Sequence, residues 1–320
     1  MSPDRRILKR LAEVCPGRVK VAEPLAPFTT WKIGGPAQWL AAPQDLEELR
    51  RLLALLTGMG RPWHILGRGS NVLIGDRGVA GAVIYLGPPW SWIRVRKRFR
   101  HTVHLEVGAG TPLPAMVRYG LRHGLTGLEF LAGIPGSAGG AWAMNAGSHG
   151  REMGEVTLAL ALVAADGQRT RPGRKALAFG YRRLDLDPGS VIVGGVLRAG
   201  LGSKTEVARQ VQELLRRRKK TQPWQEPSGG SVFRNPSGDS AGRLIEAAGC
   251  KGWARGEARV SEKHANFIIN RGRARARDVL SLMAAVRQRV YEHSGVLLEP
   301  EVRLWGCTLP EPVRRPGSSL

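Results

Sequence analysis

The chain of 320 residues carries 49 Lys+Arg against 26 Asp+Glu, a formal net charge of +23, with 42% hydrophobic and 23% charged residues. That composition excludes wholesale disorder and leaves ample apolar material for a core, and the length predicts about two domains. Gly (42) and Pro (21) are abundant without a collagen-like period, so many turns and tight loops are expected.

Residues 1–20 predict a short amphipathic helix. QDLEELRRLLALLTG predicts a helix over 44–58: its leucines recur at i, i+3, i+4 and i+7, Pro43 precedes it, and Gly58 and Gly60 stop it. WHILGRGSNVLIGD reads as an apolar strand, a glycine-rich turn and a second strand. GAVIYL and WIRVR are further strands. HTVHLEVGAG alternates and then breaks at glycines, as an edge strand running into a loop would. Thr111 is expected to cap a helix ending near His123. VTLALALVAADGQ predicts a strand closed by a turn at Asp166-Gly167, and SVIVGGVLRAG another strand. TEVARQVQELLRRRKK is a helix whose basic C-terminal end complements its dipole. TQPWQEPSGGSVFRNPSG reads as loop, SAGRLIEAAG as a short helix ending at Gly249, and ANFIIN as a strand. ARDVLSLMAAVRQRVYEHSG is the clearest helix, followed by Gly295. VLLEPEVRLWG is a final strand and CTLPEPVRRPGSSL a frayed tail.

The positive surplus favours polyanionic partners: nucleic acid, an anionic membrane, or phosphorylated small molecules. Most of it is Arg, the better bidentate ligand for phosphate and carboxylate. A GC-rich coding sequence would raise Arg, Ala and Gly with no functional consequence, so the charge alone decides nothing. Cys15, Cys250 and Cys307 are far apart and form no CxxC pair, and the seven histidines form no ligand set, so no metal site is expected. No apolar signal segment and no stretch of membrane-spanning length is present. A cytoplasmic protein without membrane or nucleic-acid partners, and a monomer, is expected.

Five motifs carry chemistry, each with an ordinary alternative. Gly67, Arg68, Gly69, Ser70 and Asn71 form a turn between two apolar strands. Its glycines can present N–H groups without interference from Cβ, which suits a pyrophosphate; an ordinary β-turn would look the same. No GK[ST] follows, and a strand rather than a helix comes next, so it is neither a P-loop nor the dinucleotide fingerprint. The glycine-rich segment 128–154, LEFLAGIPGSAGGAWAMNAGSHGREMG, is expected not to build core. It would let backbone approach a flat ligand, with SAGGA offering free N–H groups; a hinge is the alternative. Ser231, in GGSVFRNP, could donate a proton or contact a ligand, or the segment is a plain loop. Arg182, beside Tyr181 in FGYRR, could clamp an oxyanion, or is a surface arginine. Glu299 and Glu301 share one face of the LEPEV strand, where a buried carboxylate would have a raised pKa suited to acid chemistry; exposed strand charges are the alternative.

Taken in order, FTTWKIGGPAQWL, ILGRGSNVLI, LEFLAGIPGSAGGAWAMNAGSHG, FGYR, TQPWQEPSGGSVFRNP, AGRLIEAAGCKG, VSEKHANFIIN and LEPEVRLWG resemble the UDP-N-acetylenolpyruvoylglucosamine reductase (MurB) family, over nearly the whole chain. The resemblance implies an α+β fold with an FAD-binding module of the vanillyl-alcohol-oxidase type. It divides the chain into an N-terminal helix (1–20), two FAD-binding subdomains (21–90 and 91–202), a C-terminal substrate domain (203–306) and a flexible tail (307–320). It implies FAD as tightly bound cofactor, NADPH as co-substrate and a UDP-sugar enolpyruvate as substrate. Residues 67–71, with Gly133, Ile134, Pro135, Gly136, Ser137, Gly139, Gly140 and Asn145, would hold the flavin. Arg182 would clamp the substrate carboxylate, Ser231 would donate the proton, and Glu301 would act with Arg182. Tyr181, Asn235 and Lys220 would contact the substrate.

The chain departs from the family pattern in four places. Leu184 stands where a Ser is usual, FRNP replaces FKNP, and Thr221 occupies a usually basic position, leaving Lys220 to supply the charge. The segment 184–196 is short and lacks tyrosine, which implies the shorter subtype without a Tyr-bearing lid. Two other readings remain: an FAD-dependent oxidase or dehydrogenase on the same scaffold with another substrate, and a basic nucleic-acid-binding protein resting on the charge alone.

Overall fold

The computed structural model describes residues 3–311. They form two compact units, each assembled from separate stretches of chain. The first takes the chain up to Glu23, then Ala37–Arg68 and Ala80–Arg218; the second takes Pro24–Pro36, Gly69–Val79 and the chain from Lys219.

Besides two short hairpins, the first unit holds two main sheets. The smaller orders its strands Val19–Pro24, Pro36–Ala41, Val79–Tyr85 and Trp63–Leu66, the last two parallel. Helices Pro3–Val14 and Leu46–Gly58 share its core. The predicted leucine spacing puts Leu49, Leu52, Leu53 and Leu56 together with Leu11, Trp39 and Ile84. Asp45 starts the second helix by accepting the Glu48 N–H at 2.9 Å.

The larger sheet is antiparallel, in the order Arg169–Thr170, Thr157–Val163, Val191–Leu201, Thr102–Gly108, Ile93–Arg98. HTVHLEVGAG is therefore an interior strand, contrary to expectation, and the edge is Ile93–Arg98. Its alternation reflects one face packed on the core, not an open side. Thr111 does not cap the next helix. Pro112 stands at the N-cap of Leu113–His123, while Thr111 Oγ1 accepts from the Trp92 N–H (3.1 Å) and donates to its carbonyl (3.0 Å). The glycine-rich segment also contributes core, against expectation: Phe130, Leu131, Ala138 and Trp142 are buried with Leu105, Leu160 and Leu197. Gly195 makes room for the indole, because a Cβ there would lie 2.8 Å from Trp142.

In the second unit a sheet runs Ser228–Ser231, Phe267–Asn270, Ala258–Val260, Ala254–Arg255. Its core joins Trp31, Phe233 and Ile245 to Val279, Leu282, Met283 and Val286 of helix Ala276–Ser294. The strand Ser228–Ser231 lies inside the stretch read as loop. SGGS has no strand propensity of its own, and pairing with the apolar FIIN holds it. Conversely, only Arg303–Trp305 of the expected last strand is regular, parallel to Val72–Ile74. Pro300 permits a single bridge to Phe233, as the missing N–H requires. Of the tail expected over 307–320, residues 312–320 lie outside the described residues; Cys307 Sγ donates to the Leu73 carbonyl, and Arg287 pairs with Glu311 at 3.1 Å.

Trp31 ties the second unit together. Its indole N–H donates to the Ile268 carbonyl (2.8 Å), and its carbonyl accepts from Asn270 Nδ2 (2.9 Å). Helix Ala276–Ser294 is capped from far away in sequence: Asp76 accepts the N–H of Ala276 at 2.8 Å and of Arg277 at 3.1 Å. The side chain of Arg275, at the N-cap, has no acceptor to offer. Asp76→Ala is expected to lower unfolding free energy by about 1–2 kcal/mol in urea titration; a loss below about 0.3 kcal/mol would contradict the capping role. No helix among the described residues is long and apolar enough to cross a membrane.

Candidate active site

The first glycine-rich turn joins Trp63–Leu66 to Val72–Ile74 as read from the sequence, and the chain changes unit at Arg68–Gly69. In the first unit Gly67 faces Ser137, so the two predicted glycine turns meet. A Cβ on Gly67 would lie 2.4 Å from Ser137 Oγ. Ser137 is buried and stands at the N-cap of the helix Ala138–Ala143. The Cα of Gly140 is open; a Cβ there would meet only Ser137 Oγ, at 3.8 Å. SAGGA is less free than expected. The N–H groups of Ala138 and Gly139 donate to the Thr111 and Ala109 carbonyls, both at 2.8 Å, because the bridge between Pro112 and Ser137 seats this segment against the chain before it. Gly133 and Gly136 take φ of +76° and +122° around Ile134 and the exposed Pro135.

Asn145 is fully buried with φ +41°. Its Oδ1 accepts the Gly154 N–H (2.9 Å) and its amide donates to the Gly180 carbonyl (3.0 Å). It therefore fastens the glycine-rich segment to the hairpin of Ala178–Gly180 and Arg183–Asp185. Gly180 pairs with Arg183, so Tyr181 and Arg182 form a two-residue tip, with Arg182 at φ +55°. The Arg182 guanidinium lies 5.2 Å from the half-exposed Tyr181 ring and reaches the Gly147 carbonyl at 3.4 Å.

Two residues that sequence reasoning missed join Arg182. Arg218 Nη1 donates to the Gly133 carbonyl at 3.1 Å; burial first, and the Arg182 charge second, pull its pKa down to about 10. His149 is pushed below the ordinary imidazole value by burial, then by Arg218 and Arg217. The gathering is electropositive and partly desolvated, the environment in which an oxyanion is best held. Its signal was the RRRKK run, read only as a complement to the helix dipole.

In the second unit Gly69 is required by geometry: φ is +56°, and a Cβ would lie 2.4 Å from the Phe28 carbonyl oxygen. Thr30 N–H donates to the Gly69 carbonyl (3.1 Å) and Thr30 Oγ1 to the Ser228 carbonyl (2.7 Å), which joins the 67–71 turn to the strand bearing Ser231. Asn71 Nδ2 donates to the Glu301 carbonyl at 3.2 Å, and the Glu301 N–H donates to the Val232 carbonyl at 2.8 Å. Asn71, Ser231 and Glu301 thus sit on neighbouring backbone segments. The two acids do not share a regular strand face: Glu299 is exposed, with its carboxylate 3.8 Å from Arg234, while Glu301 is half-buried. Asn266, another residue missed from sequence, brackets Phe233. It accepts from its N–H (3.0 Å) and donates to its carbonyl (2.8 Å), fixing the loop after Ser231. Asn235 is exposed and its Oδ1 accepts the Ala241 N–H (3.0 Å); Lys220 is exposed near the end of the helix Lys204–Thr221. Arg182 belongs to the first unit, Ser231 and Glu301 to the second.

Residues 222–305 match the family described as UDP-N-acetylenolpyruvoylglucosamine reductase, C-terminal domain, and residues 37–172 match the FAD binding domain. The chain is 44% identical over 292 residues to UDP-N-acetylenolpyruvoylglucosamine reductase 2 of Symbiobacterium thermophilum, covering 91% of this chain and 93% of that protein. It is 44% identical over 289 residues to the reductase of Heliobacterium modesticaldum, covering 89% and 90%. Among solved structures it resembles UDP-N-acetylenolpyruvylglucosamine reductase from Thermus caldophilus, with TM-score 0.77, 39% identity and coverage of 90% and 98%. A VAO-type flavoprotein from Myceliophthora thermophila shares the fold alone, at TM-score 0.50 and 13% identity, covering 62% and 48%. The expected α+β fold of vanillyl-alcohol-oxidase type agrees with these likenesses.

Proposed function

The chain belongs to the UDP-N-acetylenolpyruvoylglucosamine reductase family, and on that premise we propose that it reduces the enolpyruvyl group of a UDP-sugar in peptidoglycan synthesis, with FAD as cofactor and NADPH as electron donor. The observation that carries the reading is the joint presence of an FAD binding domain over 37–172 and the reductase C-terminal domain over 222–305. An oxidase on the same flavin scaffold would need no such C-terminal domain.

The residues fit FAD. The Cα of Gly140 is open to a flat ligand, and Gly67 and Gly69 let the turn pack against Ser137 and Phe28, which a side chain at either would prevent. Residues 67–71 would hold the pyrophosphate, and Gly133, Ile134, Pro135, Gly136, Ser137, Gly139 and Gly140, steadied by Asn145, the ring. FAD held there would supply the hydride for the β-carbon of the enolpyruvyl group, replenished from the NADPH donor. Arg182 holds the substrate carboxylate and offsets the negative charge that develops there. Ser231 gives a proton to the α-carbon, so the double bond gains one hydride and one proton and loses no atom. Glu301 acts with Arg182 on the carboxylate. The hydrogen bond between Glu301 and Val232 supports pairing its role with that of Ser231. Tyr181, Asn235 and Lys220 contact the nucleotide sugar. The short connection over 186–190 supports the subtype without a Tyr-bearing lid. The three cysteines, free and far apart in the chain, accord with a reducing, cytoplasmic setting.

The purified protein is expected to be yellow. NADPH should bleach its flavin absorbance without oxygen, and the enolpyruvyl UDP-sugar should restore it. A colourless protein that cannot be reconstituted with FAD would remove this reading.

A further inference from the structure

The edge strand Ile93–Arg98 has no part in the chemistry above, yet it concentrates positive charge. Arg94, Arg96, Lys97, Arg98 and Arg100 are all exposed, and none has an ion pair among the described residues. Several arginines elsewhere are paired: Arg209 with Glu206, Arg216 with Glu213, and Arg243 with Asp239. Register extends the positive row across the sheet, because His104 lies opposite Lys97 on one side and Arg198 on the other. The only carboxylate in this stretch of the three strands is Glu106, already bonded by Arg171 at 2.5 Å. Lys97, Arg96 and Arg198 add to burial in pushing the His104 pKa below its ordinary value, which reports the local positive field.

A register shift between Val95 and Lys97 bulges the strand at Arg96. A bulge disfavours addition of another strand, so a partner would meet the side chains and not the backbone edge. Val95 (47% exposed) and Phe99 (40%) are interleaved with the cations. Phe99 is not a free stacking platform: Lys97 lies 4.9 Å from its ring centroid and the His104 ring 4.7 Å. Base stacking needs an open aromatic face. Insertion at the level of lipid headgroups needs only apolar surface flanked by cations.

We propose that the edge strand Ile93–Arg98, with Phe99, Arg100 and Arg198, is a peripheral docking surface for an anionic phospholipid bilayer. The expectation of no membrane partner rested on the lack of a spanning segment, and a peripheral contact needs none.

The test is co-sedimentation of the FAD-loaded protein with vesicles of phosphatidylglycerol and phosphatidylcholine, against vesicles of phosphatidylcholine alone, at about 0.15 M salt. Binding is expected only with phosphatidylglycerol. R94Q/R96Q/K97Q/R98Q should lose it by about 100-fold or more, at roughly fivefold per charge removed. R209Q/R216Q/R243Q/R259Q carries the same change in net charge elsewhere and should retain it. Phe99→Ser, which keeps every charge, should weaken it severalfold. All variants keep the flavin spectrum if folded. Equal loss in both quadruple variants would reduce the effect to net charge and overturn the proposal. So would wild-type protein that ignores the vesicles, an unaffected Phe99→Ser, or tighter retention on single-stranded DNA than on vesicles.

Discussion

Ser231→Ala is expected to leave NADPH bleaching of the flavin at its wild-type rate and to lower reduction of the enolpyruvyl substrate by about 10²- to 10⁴-fold, the usual worth of a positioned proton donor. The split arises because only the second half of the cycle needs a proton at the α-carbon. The side chain is half-buried on a short strand whose partner, Phe267–Asn270, lies in the core, and removing one hydroxyl should not disturb that pairing. Stopped-flow absorbance resolves the two halves. If both fall together, Ser231 acts on the flavin site or on folding, and its role as donor is wrong. If neither falls, water or another group supplies the proton.

Arg182→Gln is expected to lower substrate turnover by about 10²- to 10³-fold, in the range seen when one donor to a developing oxyanion is removed. Gln keeps part of the stem and some hydrogen bonding and loses the charge. The stability of the chain should hold or rise slightly, because Arg182 depresses the pKa of the partly buried Arg218 and its removal relieves that repulsion. An activity loss accompanied by a large fall in unfolding midpoint would mean that Arg182 holds the hairpin tip instead of the substrate. Unchanged turnover would exclude it from the chemistry.

The helices were legible because their signals are local. The leucines of Leu46–Gly58, and Gly295 in the left-handed conformation after Ala276–Ser294, are read within a few residues of each other. The glycine turns and the FGYR tip were legible for the same reason. What could not be read depends on partners far along the chain. The strand Ser228–Ser231 exists because Phe267–Asn270 pairs with it, and Thr102–Gly108 is interior because Ile93–Arg98 and Val191–Leu201 flank it. Asn266 clamps Phe233, and Arg218 meets Arg182, only after folding. Glu299 and Glu301 looked equivalent at period two. The proline between them breaks the regular strand: the Glu301 N–H donates to Val232, next to Ser231, while the Glu299 carbonyl accepts from Arg234 farther along.

The threading of the second unit also sets a constraint on biosynthesis. Trp31, Ile33 and Leu73 emerge from the ribosome early, but their shelter comes from Ile268, Val279, Met283 and Val302, which are translated more than 190 residues later. At about 5–20 residues per second, those early apolar groups stay uncovered for ten seconds or longer. Most of the first unit is complete by Arg218 and can collapse while translation continues. Nascent-chain aggregation and chaperone capture should therefore concentrate on the segments around Trp31 and Leu73, and slowing elongation after residue 218 should worsen both.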